Sequence, residues 1–158
     1  MKHSALLPVL GAADVLGARL DAHLACVASL LSPAASRLER RLDRRLRRLG
    51  YDARERRSLL AVAPVALPPG ASGRLSAAFL EQVEYSGRRL AKLNMDPPRL
   101  LRALAESRRQ AEAAARPLGP AARARLAQAL DQWYFGAVLT LNNAFHQVAD
   151  AEAQTCHE

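Results

Sequence analysis

The chain has 158 residues, half of them hydrophobic but only 4% aromatic, and its net charge is +8. This length is enough for one domain with a hydrophobic core, over residues 1–158, and no apolar run approaches the roughly 20 residues that cross a bilayer. Ala and Leu outnumber β-branched residues, which favours helices over strands, and two distant cysteines, Cys26 and Cys156, predict free thiols in the cytoplasm.

The first two predicted helices are separated by a proline. Residues 1–33 form an N-terminal segment whose helix runs from Ala13 to Leu31 and stops before Pro33. Ser36 is predicted to cap the second helix, with Glu39 three residues later completing a capping box. The leucines of this second helix form one narrow apolar edge, so most of its surface is expected to face water.

The helical core is predicted over residues 34–118. Gly50 ends the second helix, and Asp52 with Glu55 predicts a capping box for a third helix, which continues to about Val62. These signals are local, and each one marks a helix boundary without reference to the rest of the chain.

A proline-rich loop and two further helices follow. The segment Ala63–Gly73 contains three prolines and two glycines and is predicted to be a loop. The fourth helix runs from about Arg74 to Leu93. Asp96 is a good N-cap for the fifth helix, Pro97 suits its first turn, and the helix reaches about Ala115.

The last predicted helix, residues 120–155, contains the only tryptophan. It would span roughly 50 Å, so it either kinks at Gly136 or projects beyond its own domain. Its apolar stripe fits a core helix or a short coiled coil, and Asn142 and Asn143 are either exposed or register-setting in a helix dimer. The stripe consists of Leu126, Leu130, Trp133, Ala137, Leu141, Phe145 and Val148.

The arginines are densest over the second predicted helix and the start of the third. Ten arginines lie in residues 37–57, whereas residues 126–158 contain four acids and no Lys or Arg. A basic helix can contact nucleic-acid phosphates, an acidic protein or the acidic end of another copy of the chain. Because no base-reading motif accompanies it, we expect only weak, sequence-independent nucleic-acid binding and a largely solvated face. The predicted basic surface comprises Arg44, Arg45, Arg47 and Arg48.

Catalytic and metal-binding patterns are not found in the sequence. It contains no glycine-rich phosphate loop, nucleophile elbow or HExxH pair, so we expect a protein that is not an enzyme. His146, Glu152, Cys156 and His157 fall near the C-terminus, but they lack the two close ligand pairs that are typical of structural zinc. We therefore expect no metal.

The segment EYSGRRLAKLNMDPPRLLRAL, from Glu84 to Leu104, resembles a stretch of bacterial sensor globins in which a short turn before a proline joins two helices. Here that turn is the stretch LNMDP that ends at Pro97. In haem-binding members the proximal histidine precedes this proline, at the position of Leu90, so the chain is more similar to haem-less sensor globins such as stressosome input domains. The run LTLNNAFHQVADAEAQT also resembles the junction helix that links such domains to GAF, histidine-kinase or cyclase outputs.

The resemblance covers roughly residues 47–155 and implies a globin-like bundle of five to six helices with a non-catalytic sensory or regulatory function in bacterial signalling. No cofactor is expected. The alternatives are a nucleic-acid-binding protein and a carrier of haem or another tetrapyrrole that uses His146 or a cysteine. The implied ligand pocket comprises Phe79, Val83, Leu90, Trp133 and Phe145. The expected surface for a homodimer or a signalling output protein comprises Leu141, Asn142, Phe145 and Val148.

Overall fold

The computed structural model describes residues 19–69 and 75–157, and the fold of these residues is all-helical, as predicted. Short 3-10 turns lie at Ser32–Ala34 and Pro64–Ala66. The predicted start of the first helix at Ala13, the loop residues 70–73 and Arg74 lie outside the described part. Within that part, no helix is long and apolar enough to cross a membrane. The α-helices are α1 (Arg19–Leu31), α2 (Ala35–Arg48), α3 (Ala53–Val62), α4 (Leu75–Lys92), α5 (Pro97–Ala114) and α6 (Pro120–Thr155).

The start of α2 differs from the prediction. The helix begins at Ala35 and its N-cap residue is Ala34, which makes no side-chain cap, so the capping box predicted for Ser36 and Glu39 is wrong. Pro33 lies in a 3-10 turn that leads straight out of α1, and the Ala35 N–H donates to a carbonyl within that turn. The chain is therefore already helical before Ser36, so Ser36 does not occupy an N-cap position.

Two helices end in the same left-handed turn. Gly50 follows α2 with φ +91°, and the next residue donates its N–H to the Leu46 carbonyl over 3.1 Å. Asn94 follows α4 with φ 57°, and the residue after it donates to the Leu90 carbonyl, also over 3.1 Å. Both are Schellman motifs, for which Gly and Asn are the residues of lowest strain. The turn that resembles sensor globins is thus a helix stop followed by Pro97 in the first turn of α5.

Carboxylates cap the starts of α3 and α4. The predicted capping box of α3 is confirmed: the Glu55 N–H donates to Asp52 over 2.8 Å, and Glu55 accepts the Asp52 N–H over 3.1 Å. Asp21 of α1 accepts the Ser76 N–H in the first turn of α4 over 2.7 Å. These backbone hydrogen bonds favour the ionised form and lower the pKa of both Asp52 and Asp21. Asp21 thereby ties α1 to α4.

Helix α6 is the central element of the core and packs against α1, α4 and α5. All six helices contribute side chains to one hydrophobic cluster. The closest approach is at Gly87 of α4, where an added Cβ would lie 2.9 Å from the Ala144 Cβ and 3.0 Å from the Leu141 Cδ2. A residue without a side chain is therefore required for α4 and α6 to pack at this distance.

Candidate functional site

The residues of the implied ligand pocket lie in the hydrophobic core. Val83, Leu90 and Trp133 are fully buried, Phe79 is 5% exposed, and Phe145 is partly buried against the same cluster. The Trp133 indole N–H donates to the Val62 carbonyl over 3.1 Å in the interior. Its one polar atom is thus satisfied by the protein and needs no ligand.

A small cavity opens beside Phe79, between the 3-10 turn after α3 and the start of α4. Its volume is about 180 Å³, and Ala63, Leu67, Leu75 and Gln82 contribute to its lining. Sites for drug-sized ligands have volumes of roughly 300–1,000 Å³. The cavity is therefore too small for a ligand of that size.

The core does not fit a haem held from α4. Leu90 is fully buried at the position where the resemblance places the proximal histidine, and leucine offers no lone pair to iron. The sequence has no histidine between His23 and His146, which lie on α1 and α6. The His146 side chain is exposed to solvent rather than directed into the hydrophobic cluster.

The C-terminal half of α6 has two different faces. Leu141 and Ala144 are fully buried, and both face Gly87 of α4, so the expectation that Leu141 lies on a surface open to a partner is wrong. Phe145 packs partly against the core, and Val148 is half-buried. Of the four residues expected at an interface, Asn142 alone is exposed. The absence of a side chain at Gly87 explains why α6 turns this stripe inward.

The solvent face of α6 has a regular spacing of its own. Phe135 is 45% exposed, Leu139 is half-buried, and the residues that follow on this face are exposed. Steps of four and three residues alternate along it, which is the spacing of a coiled-coil seam. The sequence-based interpretation missed this face because it followed the more hydrophobic stripe, which the core uses. The face consists of Phe135, Leu139, Asn142, His146, Ala149 and Ala153; it is called the outer seam below.

The four arginines of the predicted basic surface lie in different environments. Arg44, Arg47 and Arg48 are exposed. The Arg45 Nε donates to the buried carboxylate of Glu106 over 3.1 Å and so joins α2 to α5. Glu106 also pairs with Arg109 over 3.0 Å, so removal of Arg45 takes one of two cationic partners from a buried carboxylate, and Arg45 has a structural role.

Arg44 also lines a cleft that the sequence analysis did not single out. The cleft has a volume of about 400 Å³ and lies between α2 and the turn that joins α5 to α6. Arg116, which lies in that turn, faces the arginines of α2 across it. Only the fold brings Arg116 to α2, so a search for runs of charge could not find this site. The charged residues that line it are Arg37, Arg40, Arg41, Arg44 and Arg116; it is called the arginine cleft below.

Within residues 19–69 and 75–157, no cluster of three or more His, Cys, Asp or Glu residues that could hold a metal ion is present. His146, Glu152, Cys156 and His157 are all exposed along the end of α6. No protein-family model, no curated protein and no solved structure matches this chain. The outer seam offers exposed apolar surface, and the arginine cleft offers exposed positive charge.

Proposed function

We propose that this chain is a non-catalytic sensory or regulatory domain of the bacterial signalling type, which pairs with a second copy through α6 and transmits along that helix. The observation that carries the proposal is the outer seam. The core occupies one face of α6, and the seam leaves Phe135 at 45% exposure on another. Apolar surface left in water costs about 25 cal/mol per Å². A two-fold interface would bury the seam of each copy against the other.

The composition of the outer seam supports a specific pairing. Phe135 and Leu139 supply apolar area at its N-terminal end, and Asn142 lies one step beyond them. A single asparagine in a helix seam fixes register at some cost in stability, because its amide must meet a polar partner across the interface. The small side chains of Ala149 and Ala153 then allow two helices to approach closely.

The end of α6 supports the transmitting role. The buried residues of α6 end at Ala144, and residues 149–157 are all exposed. The helix is nevertheless continuous to Thr155. A shift of α6 against α4, at the contact with Gly87, would therefore be carried beyond the core by a rigid element. An output protein or a further region would meet the helix there.

Light scattering of the purified chain tests the proposal. We expect a dimer at tens of micromolar, and we expect the double substitution Phe135→Glu and Leu139→Glu to give a monomer with unchanged helical circular dichroism. Leu101→Glu is the matched control, because Leu101 is also an exposed large apolar residue, 42% accessible, but lies on α5. A monomeric unmodified chain at high micromolar concentration would overturn the proposal, and so would dissociation of the control variant.

The proposed domain works without a haem held by a proximal histidine. Titration with haemin tests this part: we expect no sharp Soret band that depends on α4. A band that is abolished by substitution of Leu90, but retained by His146→Ala, would contradict the proposal. A band that His146→Ala removes would instead favour the tetrapyrrole-carrier alternative.

A further inference from the structure

The arginine cleft concentrates positive charge on one side of the molecule. Arg37, Arg41 and Arg44 recur at steps of four and three, which puts them on one face of α2, and Arg40 lies beside them. At 1.5 Å per residue this row covers about 10 Å of the helix axis. Arg116 faces the row from the α5–α6 turn, so the cleft has cationic groups on two walls.

Six arginines of the described residues form ion pairs with carboxylates, and the arginines of the cleft are not among them. Elsewhere Glu106 pairs with Arg45 and Arg109, and other carboxylates take Arg56, Arg88, Arg99 and Arg108. Within the described residues, none of the five arginines of the cleft makes an ion pair. Five like charges in one concave site repel each other, and a bound anion would relieve that repulsion.

The two acidic residues of α2, Glu39 and Asp43, do not line the arginine cleft. Asp43 accepts from the Arg56 Nε over 2.9 Å, which ties it to α3. Glu39 and Asp43 line an adjoining depression with Arg40 and Arg44, but neither carboxylate lines the arginine cleft. All the charged residues that line the arginine cleft are therefore arginines, whereas the adjoining depression is lined by both acidic and basic residues.

The uncharged residues that line the cleft indicate whether it binds the phosphate groups or the base of a ligand. Its wall consists of small aliphatic residues such as Ala34, Leu38, Ala113 and Pro117, and no aromatic side chain lines it. A site that recognises a nucleic-acid base without sequence preference uses aromatic rings for stacking. Guanidinium groups instead bind phosphate oxygens through paired hydrogen bonds. Charge and hydrogen bonding, rather than stacking, would therefore provide the affinity.

We propose that the arginine cleft is a binding site for linked phosphate groups, at least two in a row, which come either from an inorganic oligophosphate or from the phosphate chain of a nucleotide. A row of arginines that spans about 10 Å of the helix axis, opposed by Arg116, suits a chain of phosphates better than a single one. The site is remote in sequence from the outer seam and does not depend on the proposed function.

Isothermal titration calorimetry in phosphate-free buffer at physiological salt tests the site, with inorganic tripolyphosphate and ATP as probes. We expect saturable binding at micromolar concentration, and at least tenfold weaker binding of a single inorganic phosphate. The combined substitution Arg41→Gln and Arg116→Gln should weaken tripolyphosphate binding at least tenfold, because each removes charge-assisted hydrogen bonds from a different wall. Both side chains are exposed, so the fold should be retained.

The matched control is Arg47→Gln with Arg48→Gln, which removes the same charge from exposed positions at the end of α2, outside the cleft. It should change the affinity less than threefold. Equal affinities for tripolyphosphate and ATP would show that free oligophosphate is sufficient, and tighter ATP binding would identify a nucleotide as the source. Absence of saturable binding, or equal losses in both double variants, would overturn the proposal. Tighter binding of a single-stranded oligonucleotide that survives Arg41→Gln with Arg116→Gln would also overturn it, in favour of a nucleic-acid surface.

Discussion

The close contact between α4 and α6 predicts that Gly87→Ala destabilises the fold, although helix propensity alone would predict that it stabilises it. Alanine inside a helix is ordinarily favoured over glycine by about 1 kcal/mol. At Gly87, however, a new Cβ would lie 2.9 Å from the Ala144 Cβ and 3.0 Å from the Leu141 Cδ2. The Ala144 Cβ is fixed to the backbone and cannot rotate away, so α4 and α6 must separate. Overpacking of this kind costs about 1–3 kcal/mol, and we expect Gly87→Ala to destabilise the fold by about 1 kcal/mol net.

Urea unfolding, followed by circular dichroism and Trp133 fluorescence, measures this effect. With a slope of about 2 kcal/mol per molar urea, a loss of 1 kcal/mol lowers the midpoint by about 0.5 M. The partner substitution Ala144→Gly removes the clashing Cβ, so the combined Gly87→Ala and Ala144→Gly variant should be more stable than the sum of the two single effects predicts. A raised midpoint for Gly87→Ala, or strict additivity of the pair, would refute the argument from close packing.

Three further predictions concern the core, a tyrosine and a helix cap. Trp133→Ala should cost about 3–5 kcal/mol, because the ring is fully buried, and the intact protein should show blue-shifted tryptophan emission; the emission of a fully exposed indole would contradict this. Tyr51→Phe should cost about 0.5–1.5 kcal/mol in urea unfolding, since the hydroxyl donates to the Arg99 carbonyl over 2.6 Å, whereas an unchanged midpoint would show that this bond adds nothing. Because the pKa of Asp21 is lowered in the folded protein, its ionised carboxylate adds to the free energy of unfolding above the unfolded pKa, and this stabilisation is lost as pH falls through the folded pKa. Asp21→Asn should therefore make the free energy of unfolding fall less steeply at acid pH. An equally steep fall in Asp21→Asn would rule out this linkage.

The helix boundaries that were predicted correctly depend on neighbouring residues only. Asp52 with Glu55 forms the capping box of α3, Gly50 ends α2, and Pro97 lies in the first turn of α5. The prediction at Ser36 failed for an equally local reason, because Pro33 lies in the 3-10 turn Ser32–Ala34, which makes the chain helical before Ser36. A cap signal is therefore informative only where no competing turn precedes it.

Which face of α6 is buried in the core depends on a residue that is far away in the sequence. Both the inward stripe and the outer seam have helical periodicity, and hydrophobicity alone favours the former as the more conspicuous surface. Gly87 determines that the stripe with Leu141 is buried, because it lets α4 approach Leu141 closely. The strongest apolar stripe of α6 therefore faces the core, whereas the exposed Phe135 lies on the less hydrophobic face.

The basic residues of α2 show the same dependence on distant partners. In the sequence, Arg44 and Arg45 are equivalent members of one run of positive charge. In the fold, Arg45 meets the buried Glu106 of α5, whereas Arg44 faces Arg116 across a cleft without carboxylates. Adjacent arginines thus have opposite consequences: removal of Arg45 takes one of two cationic partners from a buried carboxylate, while removal of Arg44 relieves repulsion. Net charge by itself cannot distinguish these roles, which is why the proposed phosphate site has to be tested by paired substitutions inside and outside the cleft.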